Sequence, residues 1–227
     1  MKIIATTRTR NEEENIERFC LAYGAFCDEI LISDGGSDDR TVEIARSMPK
    51  TFVYHFKEKV WNDEKTHWRN PHGKHINSCI KRAIRRGADW IIFDDCDSVP
   101  NLNLQKTNYF TFENDILKVF RLYLLGEDQR LTKMESETSL WAWRSEIPVR
   151  ANTSDPWKHE WIIPKAETFH INYPDVLLHY FAPTTEKAEK KAKFYRDSGE
   201  LPGMTTAYDI NSMYWPPEKA PDWAVWK

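Results

Sequence analysis

The alternation of strand-like and helix-like patterns in the first hundred residues constrains the fold more than any other feature of the chain. Short apolar segments with strand character occupy residues 2–6, 29–33, 51–56 and 90–93. Between them, apolar residues recur every three or four positions, which is the spacing of one helix face. The clearest helical stripe is Ile76, Cys79, Ile80, Ala83 and Ile84. Repeated strand–helix units predict a mostly parallel sheet with helices on both faces.

The regular alternation stops after Pro100. Residues 116–125, 140–144 and 176–181 have apolar strand patterns separated by irregular polar segments, and residues 184–197 have the pattern of a lysine-rich helix. A length of 227 residues suits one domain with an appendage. We expect residues 1–200 to form that domain and residues 201–227 to form an extension packed on it. The extension has too much aromatic content for a solvated linker.

Charge and cysteine content exclude several classes of protein. The chain has 32 Lys+Arg against 35 Asp+Glu, so it has no large basic field with which to bind nucleic acid. Its four cysteines lack the close spacing of a zinc site or a disulfide framework, which favours a reducing compartment. No segment has the apolar length needed to span a bilayer. These features predict a cytoplasmic protein with at most peripheral membrane contact.

Polar residues follow the predicted strands at the positions where ligands bind to sheets of this kind. They are Arg8, Arg10, Asn11 and Glu12 after the first strand, Asp34 after the second, and Asp94, Asp95 and Asp97 after the fourth. Three carboxylates within four residues repel one another unless a cation is present. Hard oxygen ligands of this type suit Mg²⁺ or Mn²⁺ holding a diphosphate. The pattern therefore predicts a metal–diphosphate site at this edge of the sheet.

Three motifs resemble the opening half of glycosyltransferase family 2, whose members are inverting enzymes with the GT-A fold. They are TRTRNEEENIERF, DEILISDGGSDDRTVEIA and ADWIIFDDCDS, and the last is similar to the DxD segment of the family. The later segments DQRLTKM, KHEW and LLHYFAPTTEKAEKKAKFY resemble bacterial members that glycosylate lipopolysaccharide core. The resemblance implies an α/β, Rossmann-like GT-A domain. Residues 1–100 would form its nucleotide-binding half and residues 101–200 its acceptor half.

The resemblance also implies a set of donor-binding residues. They are Thr7, Arg10, Glu12, Asp34, Lys74, Asn77 and Asp95. Asp34 would hydrogen-bond the nucleobase, with Thr7 and Glu12 near the base and ribose. Asn77 falls near a basic-residue–asparagine motif of the family, and Lys74 would take the place of the basic residue. The donor implied by analogy is a UDP-sugar.

The metal ligands implied by the resemblance are Asp97, Asp95 and His179. Asp97 would bind Mn²⁺ or Mg²⁺ directly, whereas Asp95 would face the ribose or a metal-bound water. His179 would be a later ligand of the metal or the diphosphate. The metal would stabilise the charge that develops on the leaving nucleotide.

A carboxylate must take the proton from the acceptor hydroxyl while the anomeric centre is inverted. We expect it in the second half of the chain, where the acceptor would bind. Glu160 is the first candidate, and Asp128 and Asp155 are rivals. The resulting prediction is a metal-dependent inverting glycosyltransferase of hexosyltransferase type, with a carbohydrate, glycolipid or protein acceptor.

Each site residue also has a plain structural interpretation. Asp34 and its two glycines can form a tight turn capped by Ser37. Asp95 and Asp97 can belong to a solvated turn, and a lone histidine such as His179 in an apolar strand is often a hydrogen-bonded core residue. Three further histidines lack ligand spacing, and we expect them in loops: His67, His72 and His75.

Two other functions are compatible with the composition. A nucleotidyltransferase uses a similar sheet but usually carries a glycine-rich loop after the first strand, where this chain has TRTRNEEE. A catalytically inactive carbohydrate-binding relative would suit the ten tryptophans. Asp95 and Asp97 argue against that alternative, because a pure binding protein has no leaving group to stabilise.

Overall fold

The computed structural model describes residues 1–57, 71–125, 130–131, 138–153 and 161–182. The helices are α1 Ile16–Gly24, α2 Thr41–Ser47, α3 Pro71–Arg85 and α4 Leu102–Lys106. The strands are β1 Ile3–Thr9, β2 Glu29–Asp34, β3 Thr51–His55, β4 Trp90–Phe93, β5 Ser98–Pro100, β6 Ile116–Leu125, β7 Arg130–Leu131, β8 Thr138–Arg144, β9 Arg150–Ala151, β10 Trp161–Ile162 and β11 Thr168–Ala182. None of the helices described in these ranges is long and apolar enough to cross a membrane.

One large sheet organises the chain, with the strand order β3-β2-β1-β4-β8-β6-β11-β5 and β7 paired to β6. The strands of the first half, β3, β2, β1 and β4, are all parallel. This arrangement confirms the α/β fold predicted from the strand–helix alternation.

The second half of the chain extends the same sheet in mixed directions. β8 inserts antiparallel between β4 and β6, and β6 pairs parallel with β11. β5, directly after the acidic segment, pairs antiparallel with β11. The strand predicted at residues 176–181 is thus the end of a longer strand whose register shifts between Ile171 and Val176.

Both faces of the sheet are buried, which explains why its central strands are apolar at consecutive positions. On β1, Ala5 joins a core cluster with the apolar side of α1, while its neighbour Ile4 joins a second cluster with α3. The helices therefore cover both faces, as the sequence predicted. The four cysteines are buried and none forms a disulfide.

Candidate active site

The carboxyl ends of β2, β1 and β4 meet at one edge of the sheet. Asp34 ends β2 level with Thr9 of β1, and Phe93 ends β4 level with Thr6. Neighbouring strands lie about 4.8 Å apart, so β1 separates the Asp34 loop from the segment after β4 by roughly 10 Å. The two acidic segments singled out in the sequence therefore flank β1 at the same edge.

Asp34 is buried, and its carboxylate caps the loop that follows β2. Its oxygens accept hydrogen bonds from the Gly36 amide at 3.0 Å, the Ser37 amide at 3.1 Å and the Ser37 hydroxyl at 2.5 Å. His55 Nδ1 lies 3.1 Å from Oδ2. The loop thus has the capped-turn geometry considered as the structural alternative. Contact between Asp34 and a nucleobase stays a prediction.

The loop after β1 is bonded to the loop after β2. The Asn11 amide donates to Ser37 Oγ at 3.0 Å, and the Asp38 amide donates to Asn11 Oδ1 at 3.0 Å. The Glu12 amide donates to Thr41 Oγ1 at 2.7 Å. Asn11 adopts a left-handed φ of 56°, a conformation that asparagine tolerates better than most residues. We call residues 10–13 and 35–41 the paired loops; their bonds hold this side of the edge in one arrangement.

The other residues assigned near the base lie in or next to the paired loops. Thr7 is fully buried in β1, and its hydroxyl donates to the Arg8 carbonyl at 3.3 Å. Arg10 and Glu12 are half-buried, and a Glu12 carboxylate oxygen accepts from Asn15 Nδ2 at 2.8 Å. Their roles toward a donor stay predictions.

Asp94 is buried in a network of three donors. The Tyr23 hydroxyl lies 2.6 Å from Oδ2, while Arg121 Nη2 and the Asp95 amide each lie 2.9 Å from Oδ1. Burial raises the pKa of Asp94 to about 6, although Arg121 opposes that shift. Asp94 therefore joins the core to the edge through its bonds to Tyr23 and Arg121.

Asp95 lies between two guanidinium groups. Arg8 Nη2 is 3.7 Å from its Oδ1, and Arg121 Nη1 is 3.9 Å from its Oδ2. The sequence predicts a divalent ion here, because the adjacent carboxylates repel one another when they are ionised together. In the folded chain, Arg8 and Arg121 supply part of that positive charge.

Asp95 and Asp97 are suited to hold a metal ion when a bound substrate supplies the remaining oxygen ligands. Both are half-buried. In the part of the chain that the structure describes, no group of three or more His, Cys, Asp or Glu side chains could hold a metal ion. Mg²⁺ is commonly bound by one or two carboxylates together with substrate phosphates. The two aspartates fit a site that a diphosphate completes.

His179 lies in β11, and its backbone pairs in register with Ser98, which follows Asp97 directly. The fold thus brings the backbone of the third predicted ligand beside the DxD segment. The His179 side chain lies outside the described part of the structure, so its role as a ligand stays a prediction.

Helix α3 packs closely against β9. A Cβ at Gly73 would lie 2.4 Å from the Asn152 carbonyl oxygen, so the approach depends on glycine. Asn77 donates from Nδ2 to the Ala151 carbonyl at 3.1 Å and accepts from the Ala151 amide at 2.9 Å. Lys74, on the same helix, is exposed. The Asn77 amide therefore clamps β9, and contact of Asn77 or Lys74 with a donor stays a prediction.

The expectation that His75 lies in a loop was wrong. It is buried in α3, with Nε2 2.6 Å from Ser33 Oγ and its ring stacked on Phe56 at 4.2 Å. Burial, and next the charge of Arg8, lower the pKa of His75 to about 4, so it is neutral at pH 7. Its spacing four residues before Cys79 on the helical stripe was the signal for burial.

Sequence reasoning also missed Arg121. It is the one arginine in the strand ILKVFRLYLL, and an arginine inside an apolar strand is seldom buried without a partner. That rule signals that Arg121 has a partner. It does not identify Asp94, because β8 lies between β6 and β4 in the sheet and the two strands do not pair with each other.

Several predictions lie outside the described residues. They concern the candidate bases Glu160, Asp128 and Asp155, the lysine-rich helix at 184–197, His67 and the extension at 201–227. His72 lies in helix α3 and not in a loop as predicted, and its side chain is outside the described part. The domain boundaries and the identity of the base stay predictions.

Solved structures show which fold this is. S. aureus TarS 1-349 in complex with UDP matches with a TM-score of 0.52 and 15% identity, covering 94% of this chain and 69% of that chain. The same protein in complex with UDP-GlcNAc matches with a TM-score of 0.51 and 15% identity, covering 86% and 67%. A mannosyltransferase from Pyrobaculum calidifontis in complex with GDP-Man and Mn²⁺ has a TM-score of 0.47 and 11% identity, covering 97% and 66%.

The likeness to TarS shows that the chain has the α/β fold of GT-A type. The chain spans 66% of the length of a further TarS 1-349 structure and 39% of the length of a longer TarS structure. No protein-family model and no curated protein sequence matches the chain.

Proposed function

We propose that this protein is a glycosyltransferase that moves a sugar from a nucleotide-sugar donor to an acceptor hydroxyl. The observation that carries the proposal is the convergence of the Asp34 loop and the Asp95–Asp97 segment on either side of β1. Ligands of open α/β sheets bind at this edge. The TarS structures with this fold contain UDP or UDP-GlcNAc.

The donor that we propose is a UDP-sugar. The paired loops form a bonded surface beside Asp34, and a surface held in one arrangement loses less entropy when it binds a nucleotide. Asp34 would reach the base if the donor displaced one of its loop hydrogen bonds. Two observations support a UDP-sugar as the donor: the resemblance of the sequence motifs and the UDP found in TarS.

The charges at the edge suit a reaction whose leaving group is a diphosphate. Asp95 and Asp97 would hold a divalent ion, which supplies Lewis-acid stabilisation of the leaving diphosphate when it is bound. Arg8 and Arg121 add fixed positive charge beside Asp95. A carboxylate of the second half, with Glu160 as first candidate, would accept the proton of the acceptor hydroxyl as the anomeric centre inverts.

A screen of nucleotide sugars for hydrolysis and transfer, with Mn²⁺, with Mg²⁺ and with a chelator, tests the proposal. We expect metal-dependent release of UDP, and loss of at least about a hundredfold in kcat/KM for Asp97→Ala, since metal stabilisation is worth several kcal/mol. Asp89→Ala is the matched control, because Asp89 precedes β4 at the opposite edge of the sheet.

Other outcomes would identify a different function. Release of pyrophosphate from a nucleoside triphosphate and a sugar phosphate would indicate a nucleotidyltransferase. Binding of oligosaccharide without turnover of any nucleotide sugar would indicate an inactive carbohydrate-binding protein. Full activity of Asp97→Ala with a chelator present would contradict the proposed role of the metal.

A further inference from the structure

Arg8 is a largely buried arginine, and one nitrogen of its guanidinium group lacks a hydrogen-bond partner among the described residues. Its side chain is 16% exposed, and its ion pair with Asp95 is 3.7 Å long, beyond hydrogen-bond distance. Nη1 is buried and has no hydrogen-bond partner among the described residues. A guanidinium group carries five N–H donors, and burying them without acceptors costs free energy. Nη1 of Arg8 is therefore a buried donor group that the described residues leave without an acceptor.

The surroundings of Arg8 suit an anion at the edge of the sheet. Arg8 pairs in register with Ser33 of β2, and Asp95 lies on its other side, next to β4. Arg121 approaches Asp95 from β6, so two guanidinium groups flank one carboxylate. Burial, and next the charge of Arg8, lower the pKa of His75 to about 4, so His75 is neutral at neutral pH and adds no positive charge of its own.

We propose that Arg8 binds a phosphate group of the ligand, and that Asp95 is the internal anion with which this phosphate competes. The planar guanidinium fork matches two phosphate oxygens, which would supply the acceptors that Arg8 lacks. That the phosphate belongs to a nucleotide sugar rests on the proposed function. The anion site itself rests on Arg8, Asp95 and Arg121.

Calorimetric titration of the full chain with inorganic pyrophosphate, in EDTA, tests the role of Arg8. We expect Arg8→Met to weaken binding about tenfold or more, because the variant loses both the charge and the hydrogen bonds to the phosphate oxygens. Arg8→Lys should keep part of the affinity, since it retains the charge but not the fork. Arg86→Met is the matched control, because Arg86 pairs with Glu29 at the opposite end of β2.

Thermal unfolding separates this role from a structural one. If Arg8 serves the ligand and not the fold, Arg8→Met keeps or raises the unfolding midpoint while it loses pyrophosphate affinity. Unchanged pyrophosphate affinity in Arg8→Met would overturn the proposal, and so would absence of pyrophosphate binding by the unmodified chain.

Asp95→Asn provides a second test with the opposite sign. Removing the competing carboxylate should strengthen pyrophosphate binding in EDTA by about threefold or more, since Arg8 no longer has an internal anion beside it. Asp97→Asn removes the same charge two residues away and controls for general repulsion. The gain from Asp95→Asn should shrink in the Arg8→Met background. An equal gain from Asp97→Asn would contradict direct competition at Arg8.

The two proposals can fail separately. Pyrophosphate binding through Arg8 without turnover of any nucleotide sugar would support the anion site and contradict the proposed function. Turnover of a nucleotide sugar with unchanged pyrophosphate binding by Arg8→Met would support the function and contradict the anion site. Uridine, which carries no phosphate, should bind equally to Arg8→Met and the unmodified chain.

Discussion

Arg121 Nη2 lies 2.9 Å from Asp94 Oδ1, and this buried pair joins strand β6 of the second half to the end of strand β4 of the first. Strand β8 lies between the two strands, so the pair spans the point where the parallel and mixed parts of the sheet meet. A buried pair of this kind depends on both partners, because removing one leaves an uncompensated charge.

Arg121→Met should lower the free energy of unfolding by about 3–5 kcal/mol at pH 7.5, the usual cost of breaking a buried pair. The cost should shrink at pH 5, because the pKa of Asp94 is raised to about 6 and the unpaired acid then takes up a proton. Urea unfolding at both pH values measures the difference. Arg40→Met, which removes an exposed pair with Glu43, should leave both midpoints unchanged.

Asp94 and His75 should have opposite effects on how the stability of the protein changes with pH in the acid range. The pKa of His75 is lowered from 6.5 to about 4, so the unfolded chain binds more protons and stability is lost as the pH falls through that window. The pKa of Asp94 is raised from 3.8 to about 6, so its contribution to stability falls as the pH rises through nearly the same window.

His75→Asn should therefore gain stability relative to the unmodified chain as the pH falls from 6.5 to 4. Denaturant unfolding at several pH values in this range measures the gain. His170→Asn, at an exposed position of β11, controls for the loss of a histidine in general. A constant difference between His75→Asn and the unmodified chain across the window would show that His75 does not titrate as described.

Gly73→Ala should destabilise the protein, because the new Cβ would meet the Asn152 carbonyl oxygen at 2.4 Å. Backbone cannot rotate away as a side chain can, so we expect a loss of about 1–3 kcal/mol from the shift of α3 against β9. Gly24→Ala is the matched control, since its Cβ would make an ordinary 3.6 Å contact with Ile30. Equal unfolding midpoints for the two variants would contradict the close approach.

Asn77 variants separate a structural clamp from a donor contact. Asn77→Asp keeps the acceptor for the Ala151 amide but places an oxygen against the Ala151 carbonyl, so it should destabilise the protein by about 1–3 kcal/mol. Asn77→Ala loses both bonds. If the residue serves only as a clamp, UDP affinity measured well below the unfolding temperature stays unchanged in both variants. A loss of UDP affinity in folded Asn77→Ala would support the role that the family resemblance implies.

Ser37→Ala should weaken nucleotide binding more than it slows the chemical step. Ser37 Oγ donates to Asp34 and accepts from the Asn11 amide, so its removal takes away one of the hydrogen bonds that hold the paired loops in one arrangement. We expect KM for the donor to rise about fivefold or more with kcat nearly constant, because the lost bonds contribute about 1 kcal/mol. Ser47→Ala, whose hydroxyl bonds within α2, is the control. A fall in kcat at constant KM would contradict this role.

The sequence alone determined the architecture of the first half. Strand and helix periods are local properties, and repeated strand–helix units permit few arrangements other than a parallel sheet covered on both faces. The same logic placed Asp34 and Asp95 at one edge, because the carboxyl ends of parallel strands lie together. The apolar stripe likewise identified the buried face of α3 from Ile76 to Ala83, whereas Ile84 at the end of that stripe is exposed.

Only the tertiary structure decided which charges meet. Arg121 reaches Asp94 because β8 inserts between β4 and β6, and a strand pattern does not specify its partner or its direction. The burial that raises the pKa of Asp94 and lowers that of His75 also depends on helices packed from both faces. Side-chain contacts between distant segments arise from strand order and register, which are collective properties of the folded chain.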